Sequence, residues 1–140
     1  MSRSPLAARS LLAAALSLLL MVTGALVRPA AAQAGGVDWH EVPATAEGRQ
    51  WWDAGSLRRT RGGDLSVLSR FLPAANDDDR PRMGDLYVME IDCGQRLYRD
   101  TSVNGVPRFG AAWNAAGEDA LVSAVIAESC RAGAGLLQAG

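Results

Sequence analysis

Few residues in this chain are equipped for chemistry, and fewer stand at a useful spacing. Cys93 and Cys130 are its two cysteines. An export leader precedes them, so they meet an oxidising compartment. There two thiols are expected to pair rather than act as nucleophiles or ligands. His40 is the one histidine. An ordinary zinc site needs further N or S ligands. With both cysteines committed to each other, His40 reads as a surface or packing residue. Asp77, Asp78 and Asp79 carry oxygens that suit calcium. A calcium loop, however, alternates its ligands, with a glycine between them and a glutamate at the end. Three adjacent acids followed by Arg80 read as a solvated loop. No metal or cofactor is expected.

The sequence holds no GxSxG, Walker loop, HExxH or CxxC. An enzyme would need a convergent polar site with a perturbed acid or base. Scattered carboxylates do not supply one, so a small hydrolase is the weakest reading and a non-enzyme the expected one. Binding chemistry is better represented. Arg58, Arg59 and Arg61 cluster beside a glycine-rich turn. Planar guanidinium groups grip carboxylate, phosphate or sulfate in a fork. The bland alternative is an arginine-rich hairpin kept soluble. Trp39, Trp51, Trp52 and Trp113 could stack on a ligand, but such rings more often fill a core or an interface. Adjacent tryptophans on a strand face opposite sides, so one of Trp51 and Trp52 is expected inside and the other outside. The candidate binding set is Trp52, Arg58, Arg59 and Arg61.

These residues need a frame, and the leader must be set aside first. Arg3 and Arg9 form a positive n-region, residues 11–27 are uncharged and rich in Leu and Ala, and small residues follow at 30–34. This is the pattern of a cleaved signal peptide. Cleavage is expected after Ala34, with Ala32 as the alternative. No cysteine lies near the junction to carry a lipid anchor. An uncleaved anchor is the competing reading, because the apolar stretch approaches the shortest membrane-spanning length. Cleavage removes Arg3, Arg9 and Arg28 and no acid, which takes the net charge from −1 to −4. A mildly acidic chain without lysine argues against general nucleic-acid binding. After cleavage no membrane association is expected. The remainder, 35–140, has the size of one domain, with a core over about 37–131 and a frayed tail at 132–140.

Strands are expected at 37–42 and at 50–60, the latter interrupted by a turn at Asp53-Ala54-Gly55. Gly62-Gly63 reads as a two-residue hairpin signal. In 64–72, Leu65, Val67, Ser69 and Phe71 share one face, and in 86–93 Tyr87, Met89, Ile91 and Cys93 do the same. This period of two marks a sheet with one packed face. A further strand follows Gly94, with Tyr98 and Asp100 on one side. Asn104-Gly105 marks a turn, and 106–114 reads as irregular strand or loop. Residues 118–131 form the one clear helix, with Leu121, Val122, Val125, Ile126 and Ser129 on one face. Glu118 and Asp119 are expected in its first turn and Gly133 at its stop. The fold class is therefore α+β, an antiparallel sheet with a C-terminal helix packed on it and one disulfide.

The order of these pieces resembles a known family. Trp52-Asp53-Ala54-Gly55-Ser56-Leu57-Arg58-Arg59 leads into a glycine-rich turn. Met89-Glu90-Ile91-Asp92-Cys93 is followed by Arg96-Leu97-Tyr98-Arg99, and a helix ends at Cys130. Over about 37–131 this is similar to the surface-adhesin protein E family of small exported proteins. The resemblance implies an antiparallel sheet with a flanking helix and a bridge between Cys93 and Cys130. It also implies adhesion to extracellular-matrix proteins, with envelope proteins as the other expected partners. The chain departs from the family in lacking a cysteine for a lipid anchor, so with its leader it is expected in the periplasm or secreted rather than displayed on the surface. A structural or stress protein acting by self-association, as a homodimer through a free sheet edge, is the alternative.

Overall fold

The computed structural model describes residues 35–75 and 83–139. The leader expected at 1–34 and the acidic loop tip at 77–79 lie outside the described residues. Seven strands form one sheet: β1 (Trp39–Glu41), β2 (Gly48–Arg59), β3 (Leu65–Pro73), β4 (Asp85–Asp92), β5 (Leu97–Val103), β6 (Val106–Pro107) and β7 (Asn114–Ala115). Spatial order follows chain order from β1 to β6, β7 also pairs with β5, and every pairing is antiparallel. Two helices follow, α1 (Ala120–Ala132) and α2 (Ala134–Gln138).

The alternation in β3 and β4 decides which face is packed. Leu65, Val67 and Ser69 are buried on the same side as Met89 and Ile91. Trp52 of β2, paired with Ser69, joins them. Against this inner face α1 lays Leu121, Val125 and Ile126, which complete one apolar cluster with Val42. Each such side chain removed from water contributes about 1.5–3 kcal/mol. No helix residue joins this cluster from the outer face.

The expected turn at Asp53 is absent, and β2 runs through it as one strand with a bulge. Asp53 pairs with Leu68 and Arg58 with Ser66, so β2 spends three residues more than β3 over this stretch. Two side chains replace the ladder bonds that the excursion removes. Asp53 Oδ1 accepts from the backbone N–H of Gly55 at 3.0 Å and of Asp38 at 2.7 Å. Ser56 Oγ donates to the Asp53 carbonyl at 2.7 Å and accepts from the Leu68 N–H at 2.8 Å. A buried amide left without a partner is costly. The Asp-x-x-Ser spacing is thus the device that holds the bulge.

The glycine-rich hairpin is longer than the two residues expected. Thr60 and Asp64 still share a backbone bond of 2.8 Å, and the Gly63 N–H turns back to the Thr60 carbonyl. Gly63 takes φ 98°, in the left-handed region that glycine enters freely. The Asn104-Gly105 turn does close in two residues between Val103 and Val106. Between β6 and β7 the chain is irregular.

Helix α1 starts later than expected. Asp119 is its N-cap, not a first-turn residue, and Oδ1 accepts from the Val122 N–H at 2.9 Å. Gly133 ends the helix, its N–H bonded to the Ser129 carbonyl at 2.8 Å. The need for glycine here is one of space. A Cβ at this position would stand 2.5 Å from Cδ1 of the fully buried Leu65. The tail expected to fray from 132 instead forms α2, and Leu137 packs against the core. The bridge between Cys93 and Cys130 ties the end of β4 to α1, with the two Cα atoms 5.7 Å apart.

Candidate functional site

The expected set Trp52, Arg58, Arg59 and Arg61 does not converge. Trp52 is a core residue, 4% exposed. Its indole N–H donates to Glu128 Oε2 of α1 at 2.9 Å, and His40 stacks on its ring at 5.0 Å between centroids. The carboxylate from the helix fixes the ring beneath α1, so the residue offers no surface to a partner. Arg58 pairs with Ser66 on the outer face, whereas Arg59 pairs with Leu65 on the inner one. Arg61 projects from the hairpin loop. All three arginines are exposed, and among the described residues none makes an ion pair.

The outer face assembles a group that local sequence did not single out. Trp51, half-buried, stands opposite Arg70. The Arg49 guanidinium lies 4.7 Å from its ring centroid and that of Arg70 5.7 Å. Arg49 is committed to a fork with Glu41, at 2.6 and 2.7 Å, which holds the Glu41 carboxyl below its usual range. Arg70 is exposed and, among the described residues, without an ion pair. Arg58 lies on the same face, four β3 residues along from Arg70 through its partner Ser66, or about 13 Å at the rise of a strand. The result is a row of Trp51, Arg70 and Arg58 on one face, the two arginines exposed and Asp53 and Ser66 buried between them. Further along this face Glu90 is held by Arg99 at 2.7 Å, and Arg99 covers Trp113 at 4.5 Å.

Two features bear on catalysis. His40 and Asp38 pair at 3.1 Å, but their side chains are 47% and 65% exposed. A histidine–carboxylate pair in open water lacks the low-dielectric surroundings that give a base its reach. The second feature is a cavity of about 200 Å³ between the inner face and the start of α1, lined among others by Tyr87, Tyr98, Asp100 and Asp119. Burial pushes the Asp100 carboxyl above its ordinary value, partly opposed by Arg108. Burial, then Asp100 and Asp119, raise the Tyr98 phenol. Burial, then Asp85 and Asp100, raise Tyr87.

The raised Asp100 has a consequence for stability. A carboxyl with a higher pKa folded than unfolded favours folding while protonated. That gain is fully present below the unfolded value of about 3.9 and is lost as pH rises through the folded value. Asp100→Asn, neutral at every pH, is therefore expected to raise the Tm by a few degrees at pH 7 and to leave it almost unchanged near pH 3. Thermal melts at both pH values check this. A lowered Tm at pH 7 would mean that attraction to Arg108 outweighs burial.

Among the described residues no helix is long and apolar enough to cross a membrane, and no three of His, Cys, Asp and Glu could together hold a metal ion. Comparison with curated proteins and with solved structures found no match. The model of the Surface adhesin-E family matches residues 40–136. That span begins at β1 and closes within α2, and it takes in the Asp53–Ser56 bulge and both bridged cysteines. The family and the disulfide together suggest an exported protein. The chain belongs to the surface adhesin-E family.

Proposed function

We propose that this domain is a non-enzymatic binding module. After cleavage of its signal peptide it works in the periplasm or outside the cell, and it engages a protein of the envelope or the extracellular matrix. The observation that carries this reading is the half-buried Trp51 flanked by Arg70, with Arg58 on the same outer face and both of these arginines exposed. Aromatic and arginine side chains dominate the energetics of protein interfaces. Here they stand together on a sheet face that no helix residue of the core packs against. Arg59 and Arg61 extend the basic region around the hairpin end. Arg58 and Arg70, exposed on one face and without an ion pair among the described residues, favour a partner with an acidic patch.

The test is capture of matrix proteins and envelope extract by the purified protein in moderate salt, beside an Arg58→Ala/Arg70→Ala variant. The variant is expected to lose most of the captured partner while melting at the wild-type temperature. Equal capture by both proteins would remove the row from the interface. A second reading rests on β1, a short edge strand with all three residues exposed. An open edge invites pairing with a second copy. Sedimentation showing only a self-associated species, with no partner captured, would favour that role.

A further inference from the structure

The cavity beneath α1 is separate from the arginine row and opposite to it in charge. Its carboxylates come from three places: Glu47 before β2, Asp100 on β5 and Asp119 ahead of α1. Among the described residues no arginine lines it. The rings of Phe71, Tyr87 and Tyr98 form part of its wall, and Met89, Leu121 and Val122 supply apolar surface. Gln50 also lines it, although only 4% of that residue is exposed. Its Nε2 donates to Ser69 Oγ at 2.9 Å.

We infer that this cavity binds an organic cation, an ammonium or guanidinium group carried on a short apolar stem. Aromatic faces attract such a cation through their ring quadrupoles. Asp100 and Glu47 provide acceptors for charge-assisted hydrogen bonds, and the apolar wall suits the stem. The chemistry disfavours the other classes. An anion would meet three carboxylates. The one feature that would attract it, the positive end of α1, is already answered by the cap from Asp119. A hard metal ion seeks a shell of oxygens, whereas much of this wall is apolar or aromatic. The bound cation would also offset the burial that raises Asp100, so binding should weaken as Asp100 protonates. The groups facing Asp100 are the phenols Tyr87 and Tyr98, the acids Glu47 and Asp119, and, outside the cavity lining, Arg108.

The cation could be a free small amine or the end of a lysine or arginine presented by a partner. The test is an NMR titration of the purified protein, reading the ring signals of Tyr87 and Tyr98. One arm uses n-butylammonium and agmatine. A second uses lysine and arginine capped at both backbone ends. n-Butanol and butyrate are the neutral and anionic controls. The expected result is saturable, millimolar binding of cations at pH 7, weaker at pH 4 and about tenfold weaker in Asp100→Asn. Glu47→Gln is a second variant on an exposed residue, expected to weaken binding without touching the core. Binding of the free amines alone identifies a small-molecule site, and binding of the capped residues identifies a socket for a partner's side chain. Butanol binding as well as butylammonium, or no saturable shift, overturns the inference. Neither outcome bears on the arginine row.

Discussion

Trp52→Ala is expected to cost about 3–5 kcal/mol of stability, the range for removing a large aromatic side chain from a core. Marginal domains hold about 5–15 kcal/mol in total, so the variant should be largely unfolded at 37 °C or close to it. Two losses add to the missing ring. Glu128 keeps a carboxylate beside the core without its indole donor, and His40 loses the surface on which it stacks. Trp52→Phe keeps most of the packing and removes the hydrogen bond, so it should cost far less. Urea denaturation followed by circular dichroism measures both variants. A Trp52→Ala protein that is stable to within about 1 kcal/mol yet has lost its partner would return Trp52 to a surface role. The contrast with Arg58 is the useful part. Substitution there should leave stability unchanged and alter binding.

Breaking the bridge should be comparably severe. Cys93 and Cys130 are 37 residues apart, and the chain-entropy estimate for closing such a loop is about 4 kcal/mol. Cys93→Ser, Cys130→Ser and the double variant are expected to lose similar amounts, because each opens the same loop. Denaturation with and without reductant should show the same gap for the wild-type protein and none for the variants. If the single variants differ widely, packing of one sulfur rather than the loop carries the effect. Protein taken from its native compartment should show no free thiol when denatured. Two free thiols there would sink the expectation of export along with that of a bridge at work.

Much of the frame could be read from side-chain types in order. Tyr87, Met89, Ile91 and Cys93 alternate so cleanly that the packed face of β4 needs no further information. Leu121, Val125 and Ile126 do the same for α1 at helical spacing. What escaped depends on contacts between distant residues. Asp53-Ala54-Gly55 has the composition of a turn. It becomes a bulge because the Asp53 carboxylate is engaged by the Asp38 N–H, fifteen residues away. The choice between Trp51 and Trp52 needed the register with β3, which no local pattern states. Alternation required one ring inside and one outside, and the outside one proved to be Trp51. The cavity draws Glu47, Asp100 and Asp119 from three elements, so no motif marks it. One signal was present. Asp100 shares a side of β5 with Tyr98, and Tyr98 packs on the core, so a carboxylate was placed where an apolar residue was due.

The bulge also sets how this sequence can drift. By plain alternation Arg58, five residues beyond Asp53, would face the core, and the three residues that β2 carries in excess return it to the outer face opposite Ser66. The hairpin fixes Arg58 and Arg59 against Ser66 and Leu65, so a residue lost or gained between Asp53 and Arg58 would change the size of the bulge and not the faces of the two arginines. Related chains are therefore expected to vary in length in this segment while keeping an arginine on the outer face.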